Sequence, residues 1–138
     1  MPDNVEDLRA QETTEPVGRF LNAKLVELEP GYAKVSLKIG PEHLNFNGLV
    51  FGGIIMSVVD EAFAYATNSL VRPSYASQIN IHFLNGPAVD DVLLAECRVL
   101  KSGRRVGVSE MQVTNQDGKL IAKATGTTIP VTQDQARS

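Results

Sequence analysis

The sequence predicts an α+β fold in which one antiparallel sheet of about six strands wraps around a long central helix. Residues 53–66 are apolar on nearly every side of a helix of about four turns, a pattern that is typical of a buried helix. Two strand-like segments precede this helix, and four follow it with no second helix between them. Short turns separate the strands, so neighbouring strands are expected to run antiparallel.

The N-terminal part is expected to be a polar arm followed by a β-hairpin. Residues 1–16 are acid-rich and predict a short surface helix or a frayed arm that ends at Pro16. A first strand is predicted over residues 20–28, and the Pro-Gly pair after it forms the turn. Apolar and polar residues then alternate through residues 32–39, which predicts a second strand with one buried face.

Four further strands are expected after the helix, at residues 75–84, 92–100, 105–115 and 119–129. Residues 132–138 are expected to form a loose tail, so the main domain should span residues 17–131. Because one sheet cannot cover every side of an apolar helix, we expect a homodimer or a dimer of dimers. The open side of the helix would then lie near the interface.

The composition indicates a single domain and argues against several classes of partner. A chain of 138 residues can bury a core without disulfides or metal, and its net charge of -3 provides no basic excess for nucleic acid. No apolar run approaches the ~20 residues of a membrane span, and the acidic start lacks the apolar core of a secretory signal. The one cysteine, Cys97, is expected to be buried in a strand and fits a reducing compartment. We therefore expect a cytoplasmic protein that binds neither nucleic acid nor membrane.

A glycine-rich loop leads into the helix, and the helix carries two carboxylates. Asp60 and Glu61 lie in its middle, where charged side chains are rarely buried without a partner or a function. Gly52 and Gly53 stand where the helix begins, so their N–H groups lack intrahelical acceptors and add to its positive end. These amides are candidate oxyanion donors. The alternative is that the glycines only allow tight packing at the junction.

The loop and helix also match a known motif. The motif is approximately H-x-N-x-x-G-x-x-H-G-G, followed by an acidic residue eight positions after the first glycine of the pair. The matching residues here are His43, Asn45, Gly48, Phe51, Gly52, Gly53 and Asp60. On these residues the chain resembles the hotdog-fold acyl-CoA thioesterases of the phenylacetate-pathway (PaaI-like) type. One departure is Phe51, which stands where that family has a histidine.

The resemblance implies a reaction and a division of roles between subunits. The reaction is hydrolysis of a CoA thioester to free acid and CoA, without metal or cofactor, since CoA is part of the substrate. Asp60 would be the general base or the nucleophile, and the glycine loop would come from the other subunit. That division suits the helix, because Asp60 lies ~10 Å along its axis from the glycines. The alternative for Asp60 is an ion pair with Arg or Lys across the interface.

Other candidate site residues depend on weaker patterns. Asn45 would line the site by resemblance, or would only form the turn. Ser77 falls where related enzymes place a water-holding Ser or Thr, or is an ordinary strand serine. The loop also offers candidate substrate contacts at Asn47, Gly48 and Phe51. The basic residues best placed to meet the phosphates of CoA are Arg72, Lys101, Arg104 and Arg105. Charged turns of this kind are, however, usually only solvated.

The remaining titratable residues are expected to be structural. Glu61 is turned ~100° from Asp60 and is expected to form an interface or structural salt bridge, with a catalytic role as the alternative. His43 and His82 show no spacing that pairs either with a helix carboxylate, which argues against an enoyl-CoA hydratase or dehydratase. Two histidines and one cysteine also give no metal-ligand pattern. The aromatic helix residues Phe63 and Tyr65 are expected to fill the core, with lining of an acyl tunnel as the alternative.

The main alternative function is a non-catalytic acyl-CoA-binding or regulatory hotdog protein. Such a protein would keep the glycine loop after losing its catalytic geometry. Phe51 favours this alternative, and Asp60 argues against it.

Overall fold

Residues 4–131 are described by the structure, a computed structural model, as one six-stranded sheet with three α-helices and two 3-10 turns. The helices are α1 (Val5–Gln11), α2 (Pro16–Leu21) and α3 (Gly52–Asn68). The strands are β1 (Lys24–Glu29), β2 (Tyr32–Lys38), β3 (Ser74–Phe83), β4 (Val92–Ser102), β5 (Gly107–Thr114) and β6 (Leu120–Pro130). The sheet order is β1-β2-β4-β5-β6-β3, and every neighbouring pair is antiparallel. The predicted α+β class, with α3 between the second and third strands, is confirmed.

The helix α3 lies across the inner face of the sheet, and the two bury one apolar core. Burial alternates along β2, β4 and β5, so every second side chain points towards α3. The largest fully buried side chains come from both layers and include Phe63, Val58, Val59, Leu37, Leu93 and Val113. The alternation seen in the sequence therefore identifies the correct inner face.

One stripe of α3 remains outside this core. Gly53, Asp60 and Ala64 are exposed in the single chain, whereas Val58 and Phe63 are buried. The three exposed residues are spaced by seven and then four positions, so they lie on one face of the helix. Between residues 4 and 131 no helix is long and apolar enough to cross a membrane.

The predicted first strand, residues 20–28, is wrong in its first half. Pro16–Leu21 forms α2, and β1 begins only at Lys24. Pro16 was expected to end the N-terminal helix, but it occupies the start of α2, where its fixed φ and missing N–H are tolerated. Asn22 then ends α2 in the left-handed region, with a φ of 55°. Helix and strand propensity do not separate so short an apolar segment.

The N-terminal arm is folded onto the body of the protein. In α1, Val5 and Leu8 are buried in the common core. The Asn4 backbone N–H donates to the Ser69 carbonyl at 3.0 Å, beside the C-terminus of α3. The arm therefore packs against the C-terminus of α3 and against the edge strand β1, where Arg9 Nη2 donates to the Leu28 carbonyl. The predicted loose tail, residues 132–138, lies outside the described residues.

The strand β3 forms an open edge of the sheet. It pairs only with β6, and Ser77 forms a bulge between the paired residues Ala76 and Gln78. Both ends of β3 carry exposed aromatic side chains, Tyr75 and Phe83. An edge strand with exposed apolar side chains is a site where another strand can pair.

The close packing of α3 on β6 leads to a prediction for Gly126. A β-carbon at this position would lie 2.6 Å from the buried Phe63 ring, so Gly126→Ala is expected to destabilise the chain by about 1–3 kcal/mol. Urea denaturation measures this change. Gly86→Ala is the control, because no atom lies within 4 Å of its added carbon. Equal stability of the two variants would contradict the packing described here.

Candidate active site

The N-terminus of α3 presents two glycine amides on the surface of the chain. Phe51 precedes the helix with an extended backbone (φ -63°, ψ 129°) and provides no side-chain cap. The Ile54 N–H donates back to the Phe51 carbonyl at 3.0 Å. The Gly52 and Gly53 N–H groups have no acceptor in the described part of the chain, as is usual in the first turn of a helix. They are free to donate to an anionic oxygen.

Two aromatic rings flank these glycines. A β-carbon at Gly53 would lie 2.5 Å from Phe51 Cε2, so the Phe51 ring occupies the place of a side chain. A β-carbon at Gly52 would lie 3.4 Å from the Phe83 ring, which is an ordinary contact distance. Phe51 is 56% exposed and stands where the motif has histidine. It therefore places an apolar surface, and no titratable group, beside the amides.

Asn45 shapes the loop that precedes α3. Its carboxamide oxygen accepts hydrogen bonds from the backbone N–H groups of Asn47, at 2.9 Å, and Leu49, at 3.2 Å. The Gly48 N–H donates to the Asn45 carbonyl at 2.9 Å, and Gly48 has a φ of 72°, which favours glycine. The turn-forming role of Asn45 is therefore observed. Its Nδ2 has no acceptor among residues 4–131 and can still donate to a ligand.

The Asp60 carboxylate borders a cavity of about 330 Å³ between α3 and the strands β3 and β6. The other lining residues are Phe63, Ala64, Thr67, Ser74, Tyr75, Ala76 and Thr128. No Lys or Arg belongs to this lining, and desolvation raises the pKa of Asp60 above its usual value. A carboxylate with a raised pKa at a cavity is a candidate general base.

Asp60 and the glycine amides do not meet within one chain. Asp60 follows Gly52 by eight residues on the same helix, which is about 12 Å along its axis at ~1.5 Å per residue. One carbonyl group cannot contact both. Within one chain, Asp60 and the glycine amides therefore do not form a single site.

The other predicted site residues are divided between different places. Ser77, at the β3 bulge, donates to the Thr127 carbonyl at 3.2 Å and is exposed. Lys101 lines a narrow recess that shares Thr67, Ser74 and Thr128 with the Asp60 cavity.

Three residues that line the Asp60 cavity, Tyr75, Thr67 and Thr128, were not identified from the sequence. Strand alternation does not reveal which strand faces Asp60.

Among the basic candidates, only Lys101 borders the Asp60 side of the molecule. Arg72 turns towards the N-terminal arm, where its Nη2 donates to Gln11 Oε1 at 2.7 Å. Arg104 and Arg105 are exposed in the turn between β4 and β5. The structure therefore does not gather the four basic residues into one patch.

Glu61 forms no salt bridge within residues 4–131, so the expectation of a structural salt bridge is wrong there. It is 7% exposed, and the group that its carboxyl meets is the carboxyl of Glu15, from the segment before α2. The Tyr65 hydroxyl donates to Glu15 Oε1 at 3.2 Å. The spacing of Glu61 and Tyr65 places both on one helix face, but the sequence gives no sign that Glu15 joins them.

The histidines and Cys97 have structural environments. The Gly40 N–H donates to His43 Nδ1 at 3.0 Å, while His82 is exposed on β3 opposite Lys123. Burial raises the pKa of the Cys97 thiol to about 12, which makes it a poor nucleophile. Within residues 4–131, no three His, Cys, Asp or Glu side chains converge as metal ligands would.

Comparison with known proteins gives the family. A model of the thioesterase superfamily matches residues 47–122, which include the start of α3, Asp60 and the strand β3 that lines its cavity. The chain belongs to the thioesterase superfamily. Within this family it is 37% identical to a putative esterase of Archaeoglobus fulgidus over 83% of the chain and 75% of that protein.

Two further thioesterase-superfamily proteins support the resemblance to PaaI. The acyl-coenzyme A thioesterase PaaI of Escherichia coli is 29% identical over 85% of the chain and 84% of its own length. Its structure superposes with a TM-score of 0.87 and 28% identity, covering 92% of both chains. The structure of a hypothetical thioesterase from Streptococcus pneumoniae with coenzyme A superposes with a TM-score of 0.81 and 26% identity. The match covers 90% of this chain and 97% of that one. The predicted hotdog fold and PaaI-like character are confirmed.

The raised pKa of Asp60 predicts a stability change. Folding disfavours its ionised form, so Asp60 destabilises the fold at pH values above its usual pKa, and the neutral amide of Asp60→Asn removes this cost. The Tm of Asp60→Asn is expected to equal or exceed that of the wild type at pH 7. The difference should vanish near about pH 3, where the wild-type carboxyl is protonated.

The matched control is Glu29→Gln, an exposed carboxylate at the end of β1. Its effect on Tm should not follow this pattern. A clearly lower Tm for Asp60→Asn at pH 7 would show that the carboxylate has a stabilising cationic partner instead.

Proposed function

We propose that this protein is an acyl-CoA thioesterase that hydrolyses a CoA thioester to the free acid and CoA. The proposal is carried by the Asp60 carboxylate, which borders a cavity on the helix whose N-terminus is the glycine pair of the motif. The name of the E. coli relative and the coenzyme A in the Streptococcus pneumoniae structure support an acyl-CoA substrate. The acyl group would enter the Asp60 cavity, whose lining carries no cation.

The proposed active form is at least a homodimer. The exposed stripe of α3 contains Asp60, and β3 is an unpaired edge. Large exposed apolar side chains occur in the loop before α3 and at the ends of β3: Phe46, Leu49, Phe51, Tyr75, Phe83 and Leu84. A second copy would cover this surface, and it could bring its glycine loop to Asp60 across the interface. In this arrangement, the ~12 Å between Asp60 and Gly52 of one chain is no obstacle, because the two groups at one site come from different chains.

In the proposed reaction, Asp60 of one subunit takes a proton from water as the water oxygen attacks the thioester carbonyl carbon. In the alternative, its carboxylate attacks directly and water hydrolyses the resulting anhydride. Negative charge develops on the carbonyl oxygen, and the amides of the partner subunit's Gly52 and Gly53 donate to it. In the general-base mechanism, the C–S bond then breaks and the CoA thiolate takes up the proton held by Asp60. In the alternative, the C–S bond breaks as the anhydride forms, and the thiolate takes up the proton that hydrolysis of the anhydride leaves on Asp60.

The proposed reaction requires no cofactor or metal, because carboxylate, water and amides supply every proton transfer and charge contact. Lys101 is the basic candidate best placed for a CoA phosphate, since its recess adjoins the Asp60 cavity. Arg104 and Arg105 follow in the same turn, while the Arg72–Gln11 hydrogen bond makes Arg72 a weaker candidate. Asn45 Nδ2 is proposed as a further donor to the thioester or the water. A cytoplasmic location remains a prediction from the single, buried thiol.

The first test replaces the proposed base. Asp60→Ala is expected to lower kcat by 10²-fold or more, because general-base or nucleophilic catalysis would be lost. Free CoA release from aryl- and fatty acyl-CoA thioesters measures the effect, with circular dichroism as the check on folding. Equal activity of variant and wild type would exclude Asp60. Tight acyl-CoA binding without turnover in either protein would favour the non-catalytic function, which the Phe51 replacement suggests.

The second test removes one proposed oxyanion donor. Gly52 is the first residue of α3, where proline is tolerated, and Phe51 already has the extended backbone that proline requires of its predecessor. Gly52→Pro therefore deletes the N–H with little change to the helix, and should lower kcat about 10²–10³-fold. Gly52→Ala is the matched control, since it adds a side chain and keeps the N–H.

Mixing the two inactive variants tests the sharing of the site between subunits. A heterodimer of Asp60→Ala and Gly52→Pro has one intact site if Asp60 and Gly52 come from different chains. Random 1:1 pairing should then restore about a quarter of wild-type activity. If mass spectrometry demonstrates heterodimers and no activity is recovered, Asp60 and Gly52 act within one chain.

A further inference from the structure

Two carboxyl groups meet beneath the N-terminal arm. Glu61 of α3 is buried, and the Glu15 carboxyl lies within hydrogen-bonding reach of its side chain beside Gly18. Tyr65, one turn further along α3, donates its hydroxyl proton to Glu15 Oε1 at 3.2 Å. Two ionised carboxylates have only acceptors, so a hydrogen bond between them requires that one be protonated. A hydrogen bond between Glu61 and Glu15 therefore needs a proton on one of the two carboxyl groups.

The surroundings of the pair are acidic on both packed elements. The groups that face Glu61 are Glu12 and Glu15 of the arm and Asp60 of α3. Arg72 lines the adjoining cleft, and no Lys or Arg of residues 4–131 forms a salt bridge with Glu61 or Glu15. Attraction between opposite charges therefore does not hold the pair together.

The segment that carries Glu15 is also one wall of a cleft. This cleft, of about 310 Å³, lies between the arm and α3, and Ala64 lines both it and the Asp60 cavity. At Gly18, a β-carbon would lie 2.5 Å from Glu15 Oε1 and 3.5 Å from Glu61 Oε2. The start of α2 is thus packed tightly on the carboxyl pair, so the position of Glu15 determines the position of the wall.

We propose that Glu15 and Glu61 share one proton, and that this proton fastens residues 12–18 onto α3 as a pH-dependent wall beside the Asp60 cavity. The inference goes beyond the thioesterase reaction and does not depend on it. Protonation of the pair favours docking of the arm. Loss of the proton places two like charges in contact and favours the undocked arm.

The pH range of this switch follows from the two states of Glu61. Burial, followed by the hydrogen bond and the charge of Glu15, raises the pKa of Glu61 in the docked state from 4.5 to about 8. In the undocked state Glu61 meets water and keeps its ordinary pKa. Docking therefore takes up a proton between these values, and its equilibrium constant falls about tenfold per pH unit across that range. Docking is strongest below the range, and weakest but constant above it.

Amide hydrogen exchange of the whole chain between about pH 5 and 8 tests the proposal. The reporters are the backbone amides of residues 12–19, among them that of Arg19, which donates to the Glu15 carbonyl at 3.2 Å. Observed rates are divided by intrinsic rates to give the opening equilibrium constant. In the wild type this constant should rise about tenfold per pH unit, up to about 10³-fold over the range.

Amide variants separate the shared proton from other causes. In Glu61→Gln, the carboxamide can donate to Glu15 at every pH. The slope of the opening equilibrium constant against pH should therefore disappear while the arm stays docked. Glu15→Gln should act in the same way and replaces the first variant if that variant does not fold. Glu6→Gln, an exposed glutamate of α1 paired with Arg9, is the matched control and should keep the wild-type slope. The proposal is wrong if the wild type shows no slope, or if the slope survives in both amide variants.

Discussion

The burial of α3 against the inner face of the sheet is the constraint on which the rest of the structure depends. Its apolar residues fill the core together with every second residue of the central strands, and Phe63 packs directly on the backbone of Gly126. This packing fixes the rotation of the helix about its axis. One stripe, with Gly53 at its start and Asp60 in its middle, is thereby turned away from the sheet. The exposure of both proposed catalytic groups is a consequence of that rotation.

The same rotation gives the adjacent carboxylates different environments. Asp60 borders the cavity towards β3 and β6, whereas Glu61, ~100° around the helix, lies under the arm. Desolvation raises the pKa of both, yet Asp60 has no carboxyl partner there and Glu61 is bonded to Glu15. Neighbours in sequence are therefore separated in function: one is proposed to act on substrate, and the other to hold the arm.

The candidate site was predictable from the sequence to the extent that it is local. The glycine pair and Asp60 belong to one loop and helix, so a contiguous motif contains them, and the loop geometry around Asn45 follows from turn chemistry. The residues that line the cavity opposite Asp60, such as Thr128, come from strands distant in the chain. Their proximity depends on strand order, which alternation of side chains does not encode. Arg72 shows the same limit, because its partner Gln11 lies 61 positions earlier.

By itself, the sequence determined the α+β class, the long helix, five of the six strands to within a few residues, and the thioesterase motif, because each depends on periodicity or spacing within a short segment. The start of β1 was predicted wrongly, because the six-residue segment that begins with Pro16 suits a helix and a strand alike. Only the tertiary structure decided which side of α3 stays open and which carboxyl Glu61 meets. Both outcomes arise from contacts between segments far apart in the chain, and such contacts are set by how whole elements pack.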